Sequence, residues 1–338
     1  MSWDRIRGHD AARTMFQTAM ERGRLGQAYF LVGPAGIGKS LFARQLAKAL
    51  LCERPRGLLI ACERCPSCHQ VEAATHPDLL TLSTPEDKHE LPVDEMREFC
   101  LQLARTPVRG GRKVGIVLDA DEFNLESANS FLKSLEEPPP GVILFLIATS
   151  TERQLPTILS RCQIVRFNAL TAEELSAVLV DQGVVDKRQR DRLVKLSGGS
   201  VSRAVALNDD AIWEVREALI SGITAGRPDF TQLAGVWSNF VEGAGKETAA
   251  QRNRASVVIA FLIDALRQSL RYALGASMEG IEPEDERRLK PFAQRIGPGR
   301  LIELIEKCLE ADVRVERRAQ LILVIESVLE QFVKPARH

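Results

Sequence analysis

The sequence predicts a parallel α/β domain followed by an all-helical region, and three observations lead there. Short β-rich apolar runs alternate with helical patterns through the first half, a glycine-rich loop joins the first of those runs to a helix, and no strand pattern returns after Thr171. Near-continuous apolar strands alternating with helices signify a sheet covered on both faces.

The strands are predicted near Tyr29–Val32, Leu79–Leu82, Val114–Leu118, Val142–Ala148 and Gln163–Phe167. Ser40 opens a helix in which Leu41, Leu46, Leu50 and Leu51 recur at helical spacing. A second helix runs from Glu126 to about Glu137, where Pro138-Pro139-Pro140 ends it because proline cannot continue the hydrogen-bond ladder. Thr171-Ala172-Glu173-Glu174 reads as a capping box. Gly198-Gly199-Ser200 breaks one helical segment from the next, and Asp209-Asp210 precedes a longer helical region that ends in Arg300 to Val333. Gly222 to Asp229 and Gly275 to Glu284 are expected to be connecting loops. Domain boundaries are expected near residues 168 and 208, giving segments 1–168, 169–208 and 209–338.

The loop Gly33-Pro34-Ala35-Gly36-Ile37-Gly38-Lys39-Ser40 is a full GxxxxGKS match. Between strand and helix, such a loop aims successive backbone N–H groups at phosphate oxygens, and the helix dipole adds to them. Lys39 is then expected on the β/γ-phosphates of ATP and Ser40 on Mg²⁺.

Directly after that helix come Cys52, Cys62, Cys65 and Cys68, spaced C-x9-C-x2-C-x2-C. Each C-x-x-C turn brings two sulfurs to one side of an ion, so the four fit one tetrahedral Zn²⁺. Buried unliganded thiols are the competing reading. Glu53, Arg54, Glu63 and Arg64, interleaved with the cysteines, match a core poorly. A closed four-thiolate shell leaves no open position, so the zinc is expected to be structural, and His69 and His76 to be non-ligands. The module spans 52–76.

Lys plus Arg equal Asp plus Glu at 45 each, so no overall field draws the chain onto nucleic acid or an anionic membrane. Aromatics are 5%, too few for a single-strand stacking platform. No run approaches the roughly 18 apolar residues of a membrane helix, and Met1-Ser2-Trp3-Asp4-Arg5 has no apolar signal core. Cys100, Cys162 and Cys308 stand apart with no disulfide framework, so a reducing, cytoplasmic setting is expected.

Taken in order, Gly33 to Ser40, the cysteine quartet, Arg109-Gly110-Gly111-Arg112-Lys113, Leu132-Lys133-Ser134-Leu135-Glu136-Glu137-Pro138-Pro139 and Ser160-Arg161-Cys162 resemble the clamp-loader subunits of bacterial DNA polymerase III, in the AAA+ superfamily. The resemblance is strong from about residue 6 to 208. His76-Pro77-Asp78-Leu79-Leu80 and Leu91-Pro92-Val93-Asp94-Glu95-Met96-Arg97 are similar to the delta-prime type more than to the gamma/tau motor type. The resemblance implies an AAA+ nucleotide-binding domain built on a parallel five-stranded sheet, a small helical lid domain and an all-α collar. It implies gamma/tau and delta subunits, the sliding clamp and, through the assembly, primer-template DNA as partners in a hetero-oligomer. It also places a sensor residue at Thr149, just after a strand, and a trans-acting arginine finger at Arg161, with Cys162 expected just inside the following strand as packing.

Registered on Leu135 to Pro139, the Asp-Glu pair of motor subunits falls on Leu118 and Asp119, which implies weak ATPase activity. An ungapped register instead makes Asp119 the metal ligand and Asp121 or Glu122 the base. Arg203 lies one residue past the expected sensor-2 arginine. Two other functions stand beside the delta-prime reading: a gamma/tau-like motor ATPase, and a zinc-containing nucleic-acid-binding protein.

Overall fold

The computed structural model describes residues 3, 6–85, 88, 90–109, 111–245, 248–278, 281, 283–317 and 319–333. Met1, Ser2, Asp4, Arg5, Gly110 of the Arg109–Lys113 segment, and Glu279, Gly280 and Glu282 of the second predicted loop lie outside the described residues. The chain forms two compact units, Met1–Val194 with Gly198–Ser202, and Lys195–Ser197 with Arg203–His338.

The first unit is built on five parallel strands: β1 (Ala28–Val32), β2 (Leu79–Leu82), β3 (Lys113–Val117), β4 (Val142–Ala148) and β5 (Gln163–Arg166), in the order β2-β3-β4-β1-β5. The predicted strands are therefore all present, each within a residue of its expected ends. Every residue of the three central strands is buried, as a sheet covered on both faces requires, whereas the edge strands β2 and β5 are partly exposed. Cys162 precedes β5 rather than starting it, and burial pushes its thiol up to about 12, which suits packing.

Alternation along β1 divides the core. Tyr29 and Leu31 face a cluster with Phe16, Phe42, Leu46 and Phe145, supplied in part by helices α1 (Asp10–Glu21) and α2 (Lys39–Leu51). Phe30 and Val32 face the opposite cluster with Phe99, Phe131, Leu135 and Leu144. There α4 (Val93–Ala104) and α5 (Leu125–Glu136) cover the sheet, while α3 (Pro66–Glu72) lies between β1 and β2 in sequence. A short α6 (Pro156–Leu159) leads into β5.

Beyond the sheet, α7 (Ala172–Asp181) opens with the predicted capping box, Thr171 and Glu174 each accepting the other's backbone N–H. α8 (Lys187–Ser197) stops at Gly198, and α9 (Val201–Ala206) follows.

The second unit contains α10 (Asp210–Thr224), α11 (Phe230–Glu242), α12 (Thr248–Ala273), α13 (Pro283–Ile296), α14 (Pro298–Glu316) and α15 (Leu321–Val333). Two loop boundaries shift: Gly222 to Thr224 remain helical, and Pro283 and Glu284 already belong to α13. Trp237 is fully buried, and the Arg216 guanidinium pairs at 2.5 Å with the nearly inaccessible Asp285 carboxylate, giving each buried charge its partner. Among the described residues no helix is long and apolar enough to cross a membrane.

Candidate functional site

Parallel pairing sets Val32 beside Ala148 and Arg166, and Val117 beside Leu146, so the chain leaves β1, β3, β4 and β5 along one sheet edge. That carboxyl edge is where open α/β sheets bind ligands. Gly33 to Ser40 follow β1 there, Leu118 and Asp119 follow β3, and Thr149 follows β4.

The loop is shaped by close approach. A Cβ on Gly33 would lie 2.2 Å from the Phe167 carbonyl oxygen, and Gly36 has φ +72 with Ser200 and Ser202 packed against it. Ser202 donates its backbone N–H to the Gly36 carbonyl at 3.1 Å, and His9 Nε2 meets the Ile37 carbonyl at 2.8 Å. Carbonyls are thus engaged on the outside of the turn. Among the described residues, nothing accepts a hydrogen bond from the backbone N–H groups of Ala35, Gly36, Ile37 or Gly38. These free donors at the start of α2 fit a phosphate group.

Lys39 is 5% exposed, and its ammonium donates at 2.6 Å to both the Gly33 and Pro34 carbonyls. Burial pulls it down to about 8, while the Asp121 carboxylate acts in the opposite direction. Ser40 is exposed at the helix start.

The acidic residues after β3 divide between two directions. Asp119 accepts the Thr84 N–H at 3.0 Å, on the β2 side. Asp121 accepts the N–H of Thr149 and, at 3.3 Å, that of Ser150, tying the end of β4 to the segment that also influences Lys39. The ungapped register offers Asp121 as a base, whereas here its carboxylate accepts backbone N–H groups at the end of β4. Leu118 is apolar and packs against the core.

Arg161 lies on the exposed segment between α6 and β5. Its Nη2 donates to Glu136 Oε1 at 2.6 Å, and its Nη1 to the Thr157 carbonyl at 2.8 Å and Ser160 Oγ at 3.3 Å. None of these partners belongs to the glycine-rich loop. Arg203 pairs with Asp312 at 3.5 Å.

The four cysteines converge as one cluster. Cys52 caps the C-terminus of α2, Cys62 and Cys65 flank the turn through Glu63, and Cys65 caps the N-terminus of α3, where Pro66 fixes the first turn and Cys68 follows. All four sulfurs lie within 4.8 Å of one another, with Cys52–Cys65 at 4.0 Å and Cys62–Cys68 at 3.9 Å. A tetrahedron with Zn–S of 2.3 Å has sulfur–sulfur edges of about 3.8 Å, so the cage has the size of that ion. Backbone N–H groups of Cys62, Cys65 and Cys68 point at the sulfurs of Cys52, Cys62 and Cys65 at 3.2, 3.3 and 3.4 Å, a donor shell suited to thiolates. The Arg64 N–H is foremost in drawing the Cys62 thiol down to about 6, and burial pushes Cys52 and Cys68 upward. His76 stands outside the cluster, its Nδ1 accepting the Asp78 N–H.

One residue gave no sequence signal. Lys48 on α2 is 3% exposed and donates to Glu63 and, at 2.9 Å, to Glu72, so it clamps the cysteine module to the helix that follows the glycine-rich loop. Burial opposes its charge, but the two carboxylates outweigh that and raise Lys48 above the ordinary lysine value. Trp3 adds a second tie, donating its indole N–H to the Leu59 carbonyl.

Residues 8–171 match the family described as DNA polymerase III, delta subunit. The chain is 31% identical over 320 residues to the DNA polymerase III subunit delta' of Pseudomonas aeruginosa, covering 92% of this chain and 93% of that one. It is 32% identical over 251 residues to the delta' subunit of Escherichia coli, 73% of this chain and 72% of the other. The tau subunit of Salmonella typhimurium is 29% identical over 317 residues, which are 87% of this chain and 48% of that protein. A solved gamma subunit-related protein of Thermotoga maritima aligns with TM-score 0.40 at 16% identity, covering 94% of this chain and 98% of its own.

Proposed function

The chain belongs to the delta-prime family of bacterial DNA polymerase III clamp-loader subunits, AAA+ proteins, and from that premise we propose that it acts as a scaffold and activator, presenting Arg161 to ATP held by a neighbouring subunit. One observation carries this reading: the Arg161 side chain is held on the exposed turn before β5 and touches nothing in its own phosphate loop. A planar, permanently charged fork placed there suits phosphate oxygens offered from outside. The proposed partners are gamma/tau and delta subunits, with the sliding clamp and primer-template DNA reached through the assembly.

The phosphate loop is assigned to nucleotide binding. Residues 33–40 would cradle ATP through the free N–H groups of Ala35 to Gly38, Lys39 would exchange its two carbonyl partners for phosphate oxygens, and Ser40 would face Mg²⁺, with Thr149 bordering the γ-phosphate. Bound Mg²⁺ would neutralise developing phosphate charge. This chain's own residues serve turnover poorly: Leu118 is apolar where a motor subunit carries a metal-organising carboxylate, and Asp119 is engaged with Thr84. Cys52, Cys62, Cys65 and Cys68 would hold one structural Zn²⁺, which fixes the geometry of the module and supplies no catalysis. A gamma/tau-like motor role keeps one supporting observation, the free loop donors.

The test is a complex reconstituted with wild-type chain, Arg161→Ala or Arg161→Lys at matched assembly. Arg161→Ala should remove ATP hydrolysis at one interface, by the roughly 10³- to 10⁵-fold worth of an arginine finger, with this chain's own nucleotide affinity intact. Arg161→Lys should rescue poorly, because an ammonium keeps the charge but loses the two-point geometry. Equal rates for wild type and Arg161→Ala remove the trans-acting role.

A further inference from the structure

Arg161 is fixed by more than its own turn. Among the described residues, its partners account for three of the five guanidinium N–H groups, leaving two donors for a phosphate. Two of the three acceptors, the Thr157 carbonyl and Ser160 Oγ, belong to the same short segment as Arg161, which Ile158 anchors in the sheet core. The third, Glu136, comes from the last turn of α5, whose Phe131 and Leu135 are anchored in the sheet core. Among the described residues it is thus the charged acceptor, and the one that reaches the guanidinium from a separate element. Its neighbour Glu137 makes no ion pair among the described residues.

We propose that Glu136 is the positioning residue for Arg161, holding the guanidinium so that its two unused N–H groups face outward toward the neighbour's phosphate. The inference rests on the trans-acting reading of Arg161. An unanchored exposed arginine samples many rotamers, and holding the planar fork in advance reduces what must be ordered when the phosphate arrives. The pair is partly solvated, with side chains 34% and 49% exposed, so its contribution is modest.

The test is a double-mutant cycle in the reconstituted complex, read by pre-steady-state ATP hydrolysis. The phase lost in Arg161→Ala identifies the interface that this chain completes. Glu136→Ala should slow that phase about two- to fivefold, the range that an exposed ion pair supplies, leaving the ATP concentration dependence unchanged. Glu136→Gln should fall between, since its amide oxygen still accepts an N–H but carries no charge. Glu137→Ala should match wild type, and thermal melting of all variants should coincide. In an Arg161→Ala background, Glu136→Ala should change nothing further. The proposal is overturned when Glu136→Ala matches wild type, or when it slows hydrolysis by the same factor whether or not Arg161 is present. If Arg161→Ala itself has no effect, the trans-acting reading falls and takes this one with it; a preserved Arg161 effect with no Glu136 coupling overturns the positioning role alone.

Discussion

Replacing Lys48 with Met should unfasten the cysteine module from α2, and the structure sets the size of the effect. The ammonium is 3% exposed, while its partners Glu63 and Glu72 keep side-chain exposures of 32% and 42%. Breaking a wholly buried ion pair costs about 3–5 kcal/mol. Here water can reach the abandoned carboxylates, and Met refills the space of the lysine stem, so the loss should be smaller, about 2 kcal/mol. With an m-value of about 2–3 kcal/mol per M, the urea midpoint of the first unit should fall by somewhat under 1 M.

The same contact predicts a pH dependence with a definite sign. Hydrogen bonds to Lys48 hold Glu72 below the ordinary carboxylate value, and in Glu63 they outweigh a burial effect of the opposite sign. Lowered carboxylates contribute stability that is present above their unfolded pKa, about 4.3, and lost as pH falls through the folded values. Lys48, raised, contributes fully below its unfolded value of about 10.4 and loses that contribution only as pH rises past its folded value. Wild type should therefore lose stability below about pH 4.5 more steeply than Lys48→Met. Trp3, bonded to Leu59 in the module, serves as the fluorescent reporter once Trp213 and Trp237 are replaced by Phe. An unchanged urea midpoint together with an unchanged acid limb would refute the clamp.

Two further perturbations follow from the same geometry. Purified untagged chain should contain about one zinc, as a closed four-thiolate cage requires, and Cys65→Ser should abolish its retention while loosening Cys52 to His76 and sparing the sheet; a metal-free chain with four freely titrating thiols and unaltered folding would exclude the site. The isolated chain should bind ATP through Lys39 yet turn it over slowly, so that Lys39→Ala removes binding and costs the complex less activity than the same change in a motor subunit. Brisk turnover by the pure chain, abolished by Asp119→Asn, would instead identify a motor ATPase.

What the sequence made legible was whatever is encoded within a short stretch of residues. The central strands announced themselves because β1 and β4 are apolar along their whole length and β3 is so after Lys113, and the helix ends because Pro138, Thr171 and Gly198 act on the local backbone. The cysteine cage was legible because its ligands come from seventeen consecutive positions. Contacts between distant segments were not. Lys48 looks like any helical lysine until the fold brings Glu63 and Glu72 to it, and Glu136 sits in a recognisable segment whose contact with Arg161, 25 residues on, leaves no periodic trace. Gly222 to Thr224 were misjudged because a glycine's cost in a helix was outweighed by burial of Ile223 beside Ile220 and Leu219.

The two carboxylates beyond β3 give the proposed separation of binding from hydrolysis a physical basis. A phosphoryl-transfer site needs one carboxylate free to organise a metal and another free to orient water. Asp119 Oδ2 accepts the Thr84 N–H, and the two oxygens of Asp121 accept from Thr149 and Ser150, contacts that join β2 to β3 and β3 to β4 at the sheet edge. Turning either carboxylate away from these donors to reach a metal would leave backbone N–H groups unpaired, at about 1–3 kcal/mol for each one that stays buried. The loop donors on Ala35 to Gly38 carry no such commitment, so phosphate can be held without disturbing the edge. On the proposed reading, nucleotide would be a ligand held beside an unaltered edge, while turnover would depend on a neighbour's metal site and on Arg161.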